Sequence, residues 1–441
     1  MVSDLDLDLT ATEMADLVRR KDASPAELLE RTVARMKAHD PVVCAWSEVD
    51  LDHARAVARS LTDEAAHGRF RGPVHGVPFA AKDQFHVRGM VTRMRGADSA
   101  PADVDATAVA RLRASGAVLV GKTTMPLGGR PPPTRNPWHP DHTPGGTSSG
   151  SGAAVAARMV PVALAEQTAG SALRPAAYCG VAAIKPTYGR ISRAGLEPMT
   201  WSRDHVGIIG LSVADLALVL GVIAGPDPDD PTSLPDPPAR YLDAMHQPRP
   251  ARIGLIGTRQ LPAEAEPAML DCTASAAERL AAAGGEVRPV WLPDELAAAG
   301  SIVNLLRAEG AALQERRRGD GAPGSYWAGE LVPAPFYVQA RRARVWISEL
   351  VEEAMAGLDV LLMPAAPGAA PRGLERTGSA QYLSPWSFLG LPTATVSGGL
   401  APEGLPLGLQ LIARRRDDAG LLRAAAWVES VLGRLGPPPM S

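Results

Sequence analysis

His142–Gly180 reads HTPGGTSSGSGAAVAARMVPVALAEQTAGSALRPAAYCG, and this crowd of small and hydroxyl residues decides how the rest of the chain is read. Two loops stand out. Gly145-Gly146-Thr147-Ser148-Ser149-Gly150-Ser151 enters the helix-like AAVAARM, and Gln167-Thr168-Ala169-Gly170-Ser171 follows the apolar PVALA. Glycine and alanine at such positions let backbone N–H groups approach a ligand closely, as stabilising the charge that develops on a carbonyl oxygen requires. Each loop therefore offers a candidate nucleophile environment.

Working outward, VHGVPFAAKD and GAVLVGKT read as short buried strands, being brief apolar runs bounded by glycine, proline or charge. ARIGLIG, EVRPVWL, LDVLLMPAAP and LGLQLIA continue the pattern between helical segments. This predicts an α/β fold: a single large domain over residues 1–441 with a mixed, mostly parallel central sheet covered by helices. Residues 1–66 read as a helical N-terminal layer, since TATEMADLVRR has helical apolar spacing and SPAELLERTVARMKAH opens with a serine cap and a first-turn proline. The Pro-rich stretches at 130–140 and 225–238 read as surface excursions, because strand signals continue on both sides of them.

A serine nucleophile needs a base. The nine histidines sit in no GxSxG context, whereas Lys82 ends the apolar run VPFAA, where burial disfavours an ammonium and an uncharged amine becomes a proton acceptor. Gly116–Thr123 has the form GxxxxGKT, but its AVLV core is a strand where a phosphate loop needs an open turn, so nucleotide binding is set aside. The histidines show no HExxH spacing and the three cysteines (Cys44, Cys179, Cys272) no CxxC pair, so neither a metal, a cofactor nor a disulfide framework is expected. Cys179 reads as a small buried residue. A net charge of −3 offers no basic surface for nucleic acid, and no apolar run approaches the roughly 20 residues a bilayer span needs. The acidic start MVSDLDLDL is unlike a secretory signal, so a cytoplasmic protein is expected.

The chain resembles the amidase signature family. GVPFAAKD, RNPWHPDHTPGGTSSGSGAAVAA, AEQTAGSALRPAAYCGVAAIKPTYGRIS, LDVLLMPAAP, LGLPTATVSGGL and LPLGLQLIA occur in family order along nearly the whole chain. The resemblance implies a cofactor-independent Ser-cisSer-Lys triad with Lys82 as base and Ser171 as nucleophile. The bridging hydroxyl falls at Thr147, 24 residues before Ser171, on a cis peptide; the family has serine there, and a β-branched residue has less freedom to aim its hydroxyl. Ser148 is the alternative bridge. The oxyanion hole would be the N–H groups of Thr168, Ala169, Gly170 and Ser171, with Ala169 standing where the family usually has glycine. Gly145, Gly146, Ser148 and Arg174 would line the substrate. Arg174 either pairs with a substrate carboxylate or braces the loop through carbonyls, and Arg93 and Arg95 fall in a segment that lines the family's pocket mouth. Trp201 and Trp386 read as core or as a small apolar wall, and Asp83 as a loop support or a surface residue.

The function these readings imply is hydrolysis of the C–N bond of a small linear amide, not a peptide bond, through an acyl-Ser171 intermediate, with a carboxylate-bearing amide favoured by the arginines. The alternatives are acyl transfer from the same intermediate, a catalytically weakened binding protein and an ammonia-supplying amidotransferase subunit. A small-molecule amide is the expected partner, with neither nucleic acid nor membrane, and the family implies a homodimer.

Overall fold

The computed structural model describes residues 8–95, 99–127, 131–245, 249–315 and 327–440. The helices Ala11–Arg20 and Pro25–Val43 each start from a reciprocal cap: Thr10 and Ser24 accept the N–H of Glu13 and Glu27, whose carboxylates accept the cap N–H in return. Leu51–Ala66 is the third helix of this layer, and strand β1 (Trp46–Val49) runs between the second and third.

The remaining strands are β2 (Pro78–Lys82), β3 (Val118–Thr123), β4 (Val162–Gln167), β5 (Ala182–Lys185), β6 (His205–Gly210), β7 (Arg252–Ile256), β8 (Glu286–Val290), β9 (Val360–Pro364), β10 (Thr393–Leu400) and β11 (Pro406–Ile412). They form one sheet in the order β1-β3-β2-β4-β6-β5-β10-β11-β9-β7-β8, so strands from both ends of the chain share a single α/β domain. All six strand runs read from sequence are strands. The expected excess of parallel pairing is corrected: β2–β3, β2–β4, β7–β8 and β7–β9 are parallel, and the other six pairings are antiparallel. The reason lies in the connections. β10 and β11 form a hairpin, and β5 reaches β6 through a loop, whereas a parallel neighbour needs a crossover of a dozen or more residues, usually helical.

Apolar residues pack on both sheet faces. The face carrying Ala80, Val120 and Ala163 is covered by the helix Ser149–Ala156, the other by Val213–Ile223 and Asp418–Leu432. Trp386 is core, 2% exposed, while Trp201 is 49% exposed with the Arg193 guanidinium 5.2 Å from its ring centre. The phosphate-loop lookalike is β3 itself, and its Lys122 is fully buried, donating to Val91 O (2.7 Å) and Thr92 Oγ1 (3.1 Å). The parallel register Phe79↔Val162, Ala80↔Ala163, Ala81↔Leu164 brings the carboxyl ends of β2 and β4 to the same edge. Open α/β sheets bind ligands beyond such ends, and here that edge carries Lys82, Glu166 and the loop to Ser171.

Candidate active site

Lys82, the last residue of β2, is fully buried and donates to Thr147 Oγ1 at 2.7 Å and to Glu166 Oε2 at 2.8 Å. The first contact is the one the sequence reading requires of a lysine and a bridging hydroxyl. The second was not foreseen. Glu166 is itself fully buried, and an ion pair so placed stands only because each charge compensates the other's lost hydration.

Thr147 reaches Lys82 through two glycines. Gly145 and Gly146 have φ of +84° and +62°, and a Cβ on Gly146 would lie 2.5 Å from Pro175 Cδ and 2.9 Å from Ser171 O. No residue but glycine fits that turn against the nucleophile loop. The expected cis peptide is corrected: none occurs among the described residues, the left-handed glycine pair making the reversal instead. Both glycine N–H groups are engaged within the fold, Gly145 with Thr143 Oγ1 (3.1 Å) and Gly146 with Thr377 O (3.2 Å). Ser148 is fully buried and its hydroxyl donates to Glu166 O at 3.2 Å, so it ties the loop to β4.

The nucleophile loop is held from behind by Gln167. Its Oε1 accepts the N–H of Ala172 (3.0 Å) and Leu173 (2.9 Å) at the start of the helix Leu173–Cys179, and its Nε2 donates to Ser387 Oγ (3.0 Å). Ser387 in turn donates to Ala169 O at 2.8 Å. With the carbonyl side thus fixed, the N–H groups of Ala169, Gly170 and Ser171 have no hydrogen-bond partner among the described residues. Ser171 is 8% exposed, and Ser148 N donates to its carbonyl at 3.1 Å. No hydrogen bond joins the Thr147 and Ser171 hydroxyls among the described residues, so the structure brings Lys82 to Thr147 and leaves the second leg of the relay open. Thr147 is half-buried on the wall of a cavity of about 1040 Å³ that Tyr178, Glu266, Glu375 and Arg376 also line.

Arg174 is 6% exposed and braces a loop, donating to Gly378 O (2.6 Å) and Thr377 Oγ1 (3.3 Å), while its Nε has no partner among the described residues. Burial lowers its affinity for a proton. Arg93 bridges Glu48 (3.0 Å) and Asp83 (3.2 Å), and Asp83 also pairs with buried Lys122 at 2.7 Å, so these two are loop supports behind the sheet edge. The side chain of Arg95 lies outside the described residues. Burial pushes the Cys179 thiol well above its usual range, as expected of a packed, unreactive cysteine.

Behind Glu166, Thr168 Oγ1 lies 2.7 Å from Glu166 Oε1 and 2.8 Å from Asp204 Oδ1. Burial and the neighbouring Glu166 push the Asp204 carboxyl up to about 6. Sequence reasoning missed Glu166, Gln167 and Asp204. A signal for the first existed: VALAEQ is a buried strand with a carboxylate inside its apolar run, an arrangement that is rare without a partner. Among the described residues no group of three His, Cys, Asp or Glu side chains converges as a metal site, and no helix is long and apolar enough to cross a membrane.

The family described as Amidase matches residues 27–333 and 326–422. The A subunit of the glutamyl-tRNA(Gln) amidotransferase of Anaeromyxobacter sp. (strain K) is 37% identical over 477 residues, covering 96% of each chain. Among solved structures, 6-aminohexanoate cyclic dimer hydrolase is 28% identical with a TM-score of 0.87, covering 99% of this chain and 100% of that one. The native peptide amidase from Stenotrophomonas maltophilia is likewise 28% identical, with a TM-score of 0.84 over 98% of this chain and 99% of that one.

Proposed function

This chain belongs to the amidase family, and from that premise we propose that it hydrolyses the C–N bond of a small linear amide, not a peptide bond, through an acyl-Ser171 intermediate. The observation that carries the reading is the 2.7 Å contact of Lys82 Nζ with Thr147 Oγ1, beside a loop whose N–H groups at Ala169, Gly170 and Ser171 are unspent. In the proposed reaction Thr147 takes the Ser171 proton as it passes its own to an uncharged Lys82, and the serine oxygen attacks the amide carbon. The N–H groups of Thr168, Ala169 and Gly170, with that of Ser171, hold the oxyanion. The proton returns through Thr147 to the leaving nitrogen, and water releases the acid by the same route.

Glu266, Glu375 and Arg376, which line the cavity together with Thr147, support a substrate that carries polar groups. For a carboxylate-bearing amide the support is the unpartnered Arg174 Nε; the other two guanidinium nitrogens favour the bracing role. A second reading, a subunit that supplies ammonia to a partner, is supported by the 37% identity to a glutamyl-tRNA(Gln) amidotransferase subunit.

Ammonia release by the isolated chain, measured over small amides that include glutamine, separates the two. Turnover of simple amides that falls by at least ~10³-fold in Ser171→Ala, with the fold intact, is the result expected of the first. Undiminished activity in that variant rejects the acyl-Ser171 scheme, and turnover that appears only with a partner favours the second reading.

A further inference from the structure

Glu166 is the charged residue of β4, fully buried with its Oε2 2.8 Å from the Lys82 amine, and the relay drawn above makes no use of it. Thr168 Oγ1 is within 2.8 Å of two carboxyl oxygens, Glu166 Oε1 and Asp204 Oδ1, yet a hydroxyl has one proton to give. Its hydroxyl is therefore shared between the two carboxyl groups. Burial and the neighbouring Glu166 push the Asp204 carboxyl up to about 6, and Glu166 faces the Lys82 amine. The chain of contacts runs from Asp204 to Thr168, from Thr168 to Glu166, and from Glu166 through Lys82 to Thr147. The other charged groups close to it are Arg203, whose Nη2 donates to Thr168 O at 3.1 Å, and His205, kept neutral by burial and by the nearby Lys185 and Arg344.

We propose that Glu166 is a positioning residue for Lys82, and that the base of this site is the Lys82–Glu166 pair, an amine and a carboxylate holding one proton between them, and not the lysine alone. The proposal rests on the acyl-Ser171 reading. At rest the pair is an ammonium and a carboxylate. Transfer of the proton from Nζ to Oε2 leaves a neutral amine and a carboxylic acid. The amine then takes the Thr147 proton while Thr147 takes that of Ser171, and the serine oxygen bonds to the amide carbon, whose π electrons move to the oxyanion. The pair now holds two protons. One travels back through Thr147 to the leaving nitrogen as the C–N bond breaks, and the pair returns to one.

The pH dependence tells the pair from the lone lysine. A pair stops working when it gains a second proton, which is the titration of a carboxylate; a lone amine stops when it becomes ammonium, at higher pH. The test follows the acid limb of kcat/KM, and of fluorophosphonate labelling of Ser171, in the wild type, Glu166→Gln and Glu166→Asp, with Ser171→Ala as control. The wild-type limb is expected below about pH 7; in Glu166→Gln it moves up by about one pH unit or more, with lowered kcat and KM within about twofold. Glu166→Asp returns the limb toward the wild type. A folded Glu166→Gln whose limb superimposes on the wild type overturns the proposal. If neither variant folds, the wild-type limb decides: above about pH 7 it is that of an amine acting alone, and the proposal fails. Labelling that persists in Ser171→Ala defeats the acyl-Ser171 reading and this proposal with it, whereas an unmoved limb with labelling lost in that control counts against Glu166 alone.

Discussion

Replacing Gln167 by alanine tests whether the nucleophile loop is held as the structure has it. The side chain is fully buried and makes three hydrogen bonds: two accepted from Ala172 and Leu173 at 3.0 and 2.9 Å, and one donated to Ser387 at 3.0 Å. Truncation leaves two backbone N–H groups at a helix start without their acceptor, the one partner each has among the described residues. An orphaned buried donor costs about 1–3 kcal/mol, so two give about 2–6 kcal/mol before any water enters the space. Some recovery by water makes about 3–4 kcal/mol the expected loss, against a total stability of about 5–15 kcal/mol for a typical domain. Urea denaturation reads this as a lowered midpoint at unchanged slope. Because Ser387 also anchors Ala169 O at 2.8 Å, the loop loses its aim as well, and fluorophosphonate labelling of Ser171 slows at least ~10-fold. A loss below about 1 kcal/mol with labelling at the wild-type rate would refute the reasoning, since the carboxamide would then not be what holds the loop.

Thr147→Val keeps the shape of residue 147 but removes the oxygen that Lys82 meets at 2.7 Å; turnover is expected to fall by about 10²–10⁴-fold, while Thr147→Ser stays within about tenfold of the wild type. A valine variant as active as the wild type removes residue 147 from the proton path. Burial, with Asp215 nearby, pushes the Glu429 carboxyl up to about 7, so between the ordinary carboxyl range and pH 7 the folded chain holds a proton that the unfolded chain has lost. More protons bound in the native state means that stability falls as pH rises through this window, and Asp215, pushed up to about 6, adds in the same direction. Thermal melts at pH 5 and pH 7.5 should show the decline, and Glu429→Gln should remove much of it; an equal decline in the variant sinks the argument.

The site was legible in parts, according to how local each signal is. The two glycine-rich loops announce themselves, because positive-φ turns and close backbone approach restrict the choice of residue at Gly145 and Gly146. Lys82 announces itself by charge at the end of an apolar run. Glu166 carries the same kind of signal, but its place beside the Gln167–Ser171 loop hides that it belongs to the strand. Asp204 carries none, since it reaches Thr168 from a segment 36 residues away. Arg174 leaves two readings open that only its acceptors, Gly378 O and Thr377 Oγ1, distinguish.

The sequence by itself determined the α/β class, the six strand runs, the serine cap at Ser24 with its first-turn proline, and the identity of the loops that carry Thr147 and Ser171, because each depends on neighbours within a few residues. Tertiary structure alone decided the antiparallel excess in the sheet, the bracing of Arg174 and the Asp204–Thr168–Glu166–Lys82 contacts. These are pairings between residues far apart in the chain, and buried charges and hydroxyls are satisfied by whichever partner folding brings within hydrogen-bond distance, a matter on which local pattern is silent.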